Sequence, residues 1–447
     1  MKSTKRITSA LLSLLLIISI ALSATSCFSL QIPQVGVNNG DTDGDGGSTD
    51  NGANNDQGGS QVIPDSATGD SSDSGDDSSD PSDFIAGEQD VSYDKLTPAT
   101  RGLLAGVRIV SNFERYIGYG QSTLSQYKKE GSGVIYKLDR SAGNAYIITN
   151  YHVVYHSDSI STNKISTDID VYLYGQESAG YKIKAKFVGG SLSGDIAVLK
   201  IENSQVIKHS NAIVPRIADS ECVRVFDDCF AVGNPEGYGI SITEGKINVD
   251  LENLSILGAD GKTTLNLRVM RVSAAINEGN SGGGLYNSDG ELIGIVCAKR
   301  TGDDVDNIAY AIPINLAKNV ANIIIESEGT LKQNETGYYK YQLGITMSAT
   351  ASGVKIDEAT GELIRVEKVE IVDIDESSKV SGELGVGDVI TSITVDGKTV
   401  TTTRVHHVVD MMLTAREGST VSISVIRDGI SLTKTFTVTS DMRVKAN

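Results

Sequence analysis

The sequence predicts a mainly β protein whose folded part begins near residue 96 and consists of a barrel or sandwich followed by a smaller α+β module. Three observations predict this. Short runs rich in Val, Ile and Tyr recur between glycine-bearing turns (GVRIV, SGVIYKL, NAYIITN, DIDVYLY, KIKAKFVGG, IAVLKI, CFAVGN, ELIGIVCAK). Strands of that length and spacing across about 100–320 argue an all-β sandwich or barrel. A helical pattern, NLAKNVANIIIESEG (315–329), closes the stretch with Gly329 as its stop. From about 338 to 440 a second set of strand-like runs (YQLGITM, LIRVEKVEIVDI, DVITSITV, STVSISVIRD, SLTKTFTV) surrounds one helical pattern, RVHHVVDMMLTAREG (404–418). Five or six strands with one main helix make a compact module of their own.

Residues 1–27 of the 447 read as an export signal. Lys2, Lys5 and Arg6 form a positive start, and LLSLLLIISIAL (11–22) is an apolar core too short to span a membrane comfortably. The small residues of SATSC end at Cys27, which resembles a bacterial lipoprotein signal whose cysteine becomes the lipidated first residue. Ala24 stands where such signals prefer Leu, which leaves an uncleaved membrane anchor or a freely secreted product as alternatives. All three place the chain outside the cytoplasm. Residues 28–95 read as a disordered linker, because a Gly, Asp, Ser and Asn composition cannot bury enough surface to fold. Residues 41–90 carry 14 acidic side chains and no basic one, so most of the formal net charge of −18 lies there. With no basic face to neutralise phosphates, a nucleic-acid partner is excluded. DTDGDG (41–46) begins like a calcium loop, but Gly52 holds the twelfth position, where a bidentate Glu is required. A solvated spacer is the better reading.

Of the four cysteines, Cys27 belongs to the signal. Cys222 and Cys229 either pair in an oxidising compartment or leave Cys229 as an apolar strand residue in CFAVG. Cys297 reads as a core strand residue, and no cysteine spacing suggests a metal site.

The chemistry begins at INEGNSGGGL (276–285), where one serine is surrounded by glycines. Glycine clusters mark tight turns, and they also mark places where the main chain must touch something closely. A serine hydroxyl is a weak nucleophile that needs a base and an orienting partner for that base. His152 follows the apolar run AYIITN, either as such a base or as a structural histidine. The HVVYH spacing of His152 and His156 suits a zinc protease, but Val153 stands where the essential Glu would be. Asp195 lies at the mouth of the apolar strand IAVLKI, as a turn residue or as a partner. The order His152, Asp195, Ser281 is that of the chymotrypsin class, not of subtilisin or the α/β-hydrolases. Gly279 would let its own N–H and that of Ser281 point to one spot, where a tetrahedral oxyanion would sit.

These segments together resemble the HtrA (Deg) serine proteases, chymotrypsin-like double β-barrels followed by PDZ domains. The resemblance covers about 100–440 and rests on GSGVIY (131–136), TNYHVV (149–154), GDIAVLKI (194–201), AVGNPEG (231–237), AAINEGNSGGGL (274–285) and AYAIPIN (309–315). It implies a protease domain over 96–332 and a PDZ domain over 333–447. Onto this sequence it carries a catalytic triad of His152, Asp195 and Ser281, with an oxyanion loop at Gly279, Asn280 and Ser281. Two departures bear on loop rigidity: Gly284 stands where the family commonly has Pro, and Ser273 where it has Asp. The pocket floor would be Ala275, which favours small or medium aliphatic residues over Lys or Arg. The strand Ile295, Val296, Cys297, Ala298 would pair with the substrate main chain. In the second module, YQLGI (341–345) resembles a carboxylate-binding loop, with the N–H groups of Leu343, Gly344 and Ile345 holding a peptide C-terminus. The helix with His406 and His407 would form the other wall of that groove, its histidines solvated or lining it. The implied protein is an extracytoplasmic, ATP-independent endopeptidase for unfolded or misfolded polypeptides. It would be homotrimeric, anchored to the bacterial membrane, and free of cofactor or metal. A surface-anchored chaperone or peptide-binding scaffold with little proteolysis is the alternative, and the complete triad argues against it.

Overall fold

The computed structural model describes residues 92–118, 123–176, 181–299, 308–330, 336–358 and 360–446. The signal, Cys27 and residues 28–91 of the linker lie outside the described residues. Two closed six-stranded antiparallel barrels follow one another. The first is formed by β1 (Gly106–Ile117), β2 (Thr123–Asp139), β3 (Asn144–Thr149), β4 (Asp168–Leu173), β5 (Ile183–Ser191) and β6 (Ile196–Ile201), in the order β1-β2-β3-β6-β5-β4. The second is formed by β7 (Asp228–Gly233), β8 (Ser241–Leu257), β9 (Thr264–Val272), β10 (Gly284–Asn287), β11 (Leu292–Lys299) and β12 (Ala309–Pro313), in the order β10-β11-β12-β9-β8-β7.

Closure leaves neither barrel an open edge, and the burial patterns show how each strand serves it. IKAK in β5 and TLNL in β9 alternate in burial, Ile183 and Ala185 facing the interior of the first barrel and Leu265 and Leu267 the cluster outside the second. IAVLKI in β6 is buried almost throughout, because its outer face is covered as well. Val107, Ile109, Ile135, Ile147 and Leu199 fill the first barrel, and Ala231, Ile247, Met270, Leu285 and Val296 fill the second. A third cluster, including Val134, Ile148, Val198, Val232, Tyr286 and Ile312, seals one barrel against the other. The helix Ile314–Glu326 packs Ile314, Ala317, Val320, Ala321 and Ile324 into this seal, the spacing of one helical face.

Gly284 has a reason here. A Cβ on it would lie 2.5 Å from the ring of Tyr286, which is fully buried and stacks on Phe230 with ring centroids 5.3 Å apart. The aromatic ring occupies the room that a proline would take.

The second module is a sheet of β14 (Ile345–Ile356), β15 (Leu363–Ile374), β16 (Val389–Val395), β18 (Thr420–Arg427) and β19 (Ile430–Thr437), with β17 (Lys398–Thr401) paired to β16. A small ladder of β13 (Tyr338–Tyr341) and β20 (Arg443–Ala446) brings its two ends together. The helix Val405–Met412 buries Val408, Met411 and Met412 in the core of this sheet. It is shorter than the 404–418 pattern. Thr414 and Ala415 bond back three residues, and Arg416 folds over to donate to the carbonyls of Leu413 (3.0 Å) and Ala415 (2.9 Å). Those bonds satisfy the helix end and turn the chain away.

The other face of this helix is docked on the second barrel. Arg268 on β9 pairs with Asp410 at 2.6 Å, Arg404 with Asp250 at 2.9 Å, and Arg416 with Glu326 at 2.6 Å. The expectation for the two histidines is corrected here: His406 is buried and His407 nearly so, and both reach Glu221 of the protease part instead of solvent or groove. Cys222 is exposed and Cys229 buried on β7, both as free thiols, so no disulfide joins them. Burial pushes the Cys229 thiol up to about 12.

The Tyr286 hydroxyl is buried without a hydrogen-bond partner among the described residues. A buried unsatisfied hydroxyl is destabilising. Tyr286→Phe is therefore expected to raise the unfolding free energy by about 1 kcal/mol, read as a higher urea midpoint at unchanged slope. A lower midpoint would mean that the hydroxyl is satisfied.

Candidate active site

His152 and Asp195 meet at the rim of the first barrel. The turn before β6 is closed by Asp195 N–H to Leu192 C=O (3.2 Å) and Gly194 N–H to Ser191 Oγ (3.0 Å). It leaves Asp195 at φ 49°, a left-handed conformation that Asp tolerates better than most residues. Its side chain is only 6% exposed. Asn150 secures the turn by donating Nδ2 to the Asp195 carbonyl at 2.8 Å. On the one-turn helix Tyr151–Val154, His152 donates its N–H to Asp195 Oδ1 at 3.0 Å and places Nδ1 2.8 Å from Oδ2. A carboxylate only accepts, so Nδ1 carries a proton, which in the neutral ring leaves the lone pair on Nε2.

Ser281 sits on the turn before β10, against the same stretch of β2 that underlies His152. Ser132 N–H donates to the Ser281 carbonyl at 2.8 Å, and Lys129 Nζ donates to the His152 carbonyl at 2.5 Å. Burial lowers the Lys129 pKa, against the pull of Asp195 and Glu278. Among the described residues no hydrogen bond joins His152 Nε2 to Ser281 Oγ, a contact that is often loose before substrate is bound.

The glycines of the serine turn now have their explanation. Gly279 has φ +94° and Gly282 φ +88°. A Cβ would come within 2.0 Å of the Asn234 carbonyl at Gly279 and within 2.2 Å of the Ser132 carbonyl at Gly282. Neither site admits a side chain. Two peptide planes are pinned by their carbonyl ends: Glu278 C=O accepts from Glu236 N–H at 2.8 Å, and Asn280 C=O from Gly283 N–H at 3.0 Å. A trans peptide points its N–H opposite its C=O. The N–H groups of Gly279 and Ser281 are thereby turned outward, and among the described residues neither has a protein acceptor. Asn280 is different, and its expected place in the oxyanion loop is corrected: its N–H donates to Asn277 C=O at 3.1 Å, so it shapes the turn and offers no donor.

Sequence reasoning missed Ser132. This buried residue donates Oγ to Gly279 C=O at 2.6 Å and accepts from Asn234 N–H at 2.8 Å, while its own carbonyl takes the Thr149 hydroxyl at 2.7 Å. The signal was present in GSGVIY, as a small polar residue between glycines, but its partners lie up to 147 residues away.

The expected substrate strand needs correction in its first half. Ile295 and Val296 lie inside the closed barrel: Ile295 pairs with Gly284 and Ile312, and Val296 exchanges bonds with Gly282 (2.8 Å) and Gly283 (2.9 Å). Beyond them β11 outruns β10, and over Cys297–Lys299 no strand among the described residues pairs with that second edge. The Cys297 side chain is buried beside Asp195, and burial pushes its thiol well above its usual value. The Ala298 side chain lies outside the described residues. Ala275 is exposed, between buried Ala274 and Ile276.

In the second module, Leu343, Gly344 and Ile345 line a cavity of about 470 Å³ whose other wall is Val408, Val409, Met412 and Leu413. Gly344 turns the loop at φ +65°, the Leu343 carbonyl is held by Ser378 Oγ, and the Gly344 carbonyl accepts from Asp375 N–H at 2.9 Å.

Residues 131–295 match the trypsin-like peptidase domain family, and residues 342–438 match the PDZ domain family. The chain is 32% identical over 331 residues to the serine protease Do-like HtrA of Lactococcus lactis, covering 72% of this chain and 74% of that protein. It is 31% identical over 356 residues to the protein of the same name from Bacillus subtilis, covering 76% and 70%. To the periplasmic serine endoprotease DegP of Escherichia coli it is 33% identical over 314 residues, covering 70% of this chain but 57% of DegP.

Ser132→Ala removes the clamp on Gly279 and frees Asn234 N–H. Displacement of a reacting group by about 1 Å can cost roughly 10²-fold in rate. Labelling of Ser281 by a fluorophosphonate is expected to slow by about that factor, and an unchanged rate would show the turn to be held without the hydroxyl.

Proposed function

The chain belongs to the HtrA/DegP family of serine proteases, and on that premise we propose that it degrades unfolded or misfolded polypeptides outside the cytoplasm, without ATP. As a serine endopeptidase it needs a nucleophile, a base and an anion cradle. The proposal gives these roles to Ser281, to His152 oriented by Asp195, and to the N–H groups of Gly279 and Ser281. Ser281 Oγ attacks the scissile carbonyl while its proton passes to His152 Nε2, and the negative charge gathers on the carbonyl oxygen between the two N–H groups. Collapse releases the amine with the proton from His152 and leaves an acyl-enzyme. Water then repeats the sequence and frees the serine. Asp195 stays ionised and stabilises the imidazolium.

The observation that carries this reading is the Nδ1–Oδ2 pair at 2.8 Å beside a serine turn whose two N–H groups have no acceptor among the described residues. The free edge of β11 over Cys297–Lys299 would take an extended substrate main chain to main chain, a mode that reads extension more than sequence. Ala275 would admit small or medium aliphatic side chains. A peptide C-terminus would sit at Leu343–Ile345, its carboxylate on the loop N–H groups and its last side chain against Val408 and Met412.

An extracytoplasmic location is supported by the signal-like start of the chain and by the periplasmic relative. Attachment through a lipid on Cys27 and assembly as a homotrimer belong to the same proposal. Among the described residues no helix is long and apolar enough to cross a membrane.

Ser281→Ala is expected to abolish casein cleavage while circular dichroism and the thermal midpoint stay as in the parent; retained cleavage would refute the assignment. Digestion of a denatured proteome, with cleavage sites mapped by mass spectrometry, is expected to show Ala, Val or Leu before the cut bond. A preference for Lys or Arg there would overturn the pocket reading.

A further inference from the structure

Away from the serine, one cluster of ligand-type side chains joins the protease part to the PDZ module. Glu221 comes from the 3₁₀ turn Ser220–Cys222, and His406 and His407 from the first turn of the helix Val405–Met412. Both imidazoles present Nε2 to the same carboxylate. His406 Nε2 lies 2.9 Å from Oε1 and 3.0 Å from Oε2, and His407 Nε2 lies 3.0 Å from Oε2. The two imidazole side chains are 10% and 12% exposed, and Glu221 opens to solvent at 35%.

The other nitrogen of His407 points to what belongs between these groups. Nδ1 lies 3.1 Å from the Thr401 carbonyl, which only accepts, and 3.3 Å from Thr403 N–H. In the neutral ring a proton on Nδ1 makes the shorter contact and leaves Nε2 with a lone pair facing a carboxylate oxygen that also has only lone pairs. A cation there, a second proton or a metal ion, resolves that opposition. An Nδ1–H given to a backbone carbonyl is also how metal-bound histidines are held, with Nε2 on the ion. The surrounding charges are already matched. Asp410, four residues after His406, is held by Arg268 at 2.6 and 2.7 Å; Arg404 pairs with Asp250; Glu367 accepts from Val405 N–H at 2.9 Å.

We propose that Glu221, His406 and His407 form a site for a divalent transition metal of the zinc class, which fastens the PDZ module to the second barrel. Two imidazoles and one carboxylate are a common zinc donor set, with a fourth position left for water. Ligands at 2.0–2.1 Å from one tetrahedral ion stand about 3.3 Å apart, so the two histidine–glutamate separations need to open by only a few tenths of an ångström, and all three ligand atoms already lie within 4.8 Å of one another. Because the ligands come from both sides of the seam, an ion that binds all three stabilises the docked arrangement over any in which the module has moved.

The test uses the untagged full chain carrying Ser281→Ala, stripped with chelator and titrated with Co²⁺ alone and then Zn²⁺ alone. The expected result is one equivalent bound per chain, a visible tetrahedral Co²⁺ band that Zn²⁺ abolishes, and a thermal midpoint raised by Zn²⁺ and restored by EDTA. Glu221→Gln and His407→Ala are each expected to weaken binding about a hundredfold, while exposed His209→Ala leaves it unchanged. Glu221→Gln changes a partly exposed loop residue and keeps its volume, which guards against a variant that fails to fold. Absence of stoichiometric uptake would overturn the proposal. So would uptake that survives both ligand variants, or a midpoint that responds to protons but not to metal.

Discussion

One buried hydroxyl joins the two barrels at the level of the chemistry. Ser132 belongs to β2 of the first barrel, yet its Oγ bonds the Gly279 carbonyl and the Asn234 N–H of the second, and its N–H bonds the Ser281 carbonyl. These bonds are buried, and leaving any of the groups unpaired would cost the full desolvation penalty. The relative position of the barrels is thus held by these polar groups together with the apolar seal between them. The orientation of the serine turn follows from it. Once the Glu278 and Asn280 carbonyls are bonded within the fold, planarity leaves the Gly279 and Ser281 N–H groups outward. The proposed anion cradle is a by-product of where those carbonyls are tied.

Asp195 is set by a separate and equally local device. Its left-handed backbone is held by the turn bonds to Leu192 and Ser191 and by Asn150, and strain at such a site persists only when neighbours over-determine it. The same turn faces the PDZ module. Ser193 and Gly194 line a cleft of about 700 Å³ whose far side includes Val405, His406 and Val409. The helix whose inner face builds one wall of the cavity at Leu343–Ile345 therefore presents its outer face to the barrel and to the residue beside Asp195. One eight-residue helix, Val405–Met412, lines that cavity, the domain seam and the cleft at Ser193 and Gly194.

Chemistry was more legible in the sequence than geometry. Ser281, His152 and Asp195 could be named because nucleophilic catalysis demands those residue types, and because apolar strands on either side announce the rim of a barrel. Ser132 could not, since a serine between glycines acquires its role only through partners more than a hundred residues distant. The expected substrate strand began two residues before the edge that β10 leaves unpaired among the described residues, because where β10 ends beside β11 is a matter of register, which hydrophobic pattern does not report. His406 and His407 were read from their own module alone, where one face of an amphipathic helix looks solvated. Glu221, 185 residues before His406, is what buries them. Asn280 was assigned by neighbourhood to the anion cradle, whereas alternate peptides along a tight turn point opposite ways.

The central claim is that carbonyl anchoring leaves the Gly279 and Ser281 N–H groups preset for a developing oxyanion. It is tested most directly by a crystal structure of the chain inactivated with a phosphonate on Ser281 Oγ. The account predicts a phosphoryl oxygen about 2.7–3.1 Å from both nitrogens, with Ser132 Oγ still on the Gly279 carbonyl and His152 Nδ1 still on Asp195. A phosphoryl oxygen facing away from these nitrogens, or a Gly279 peptide rotated so that its N–H turns inward, would contradict it.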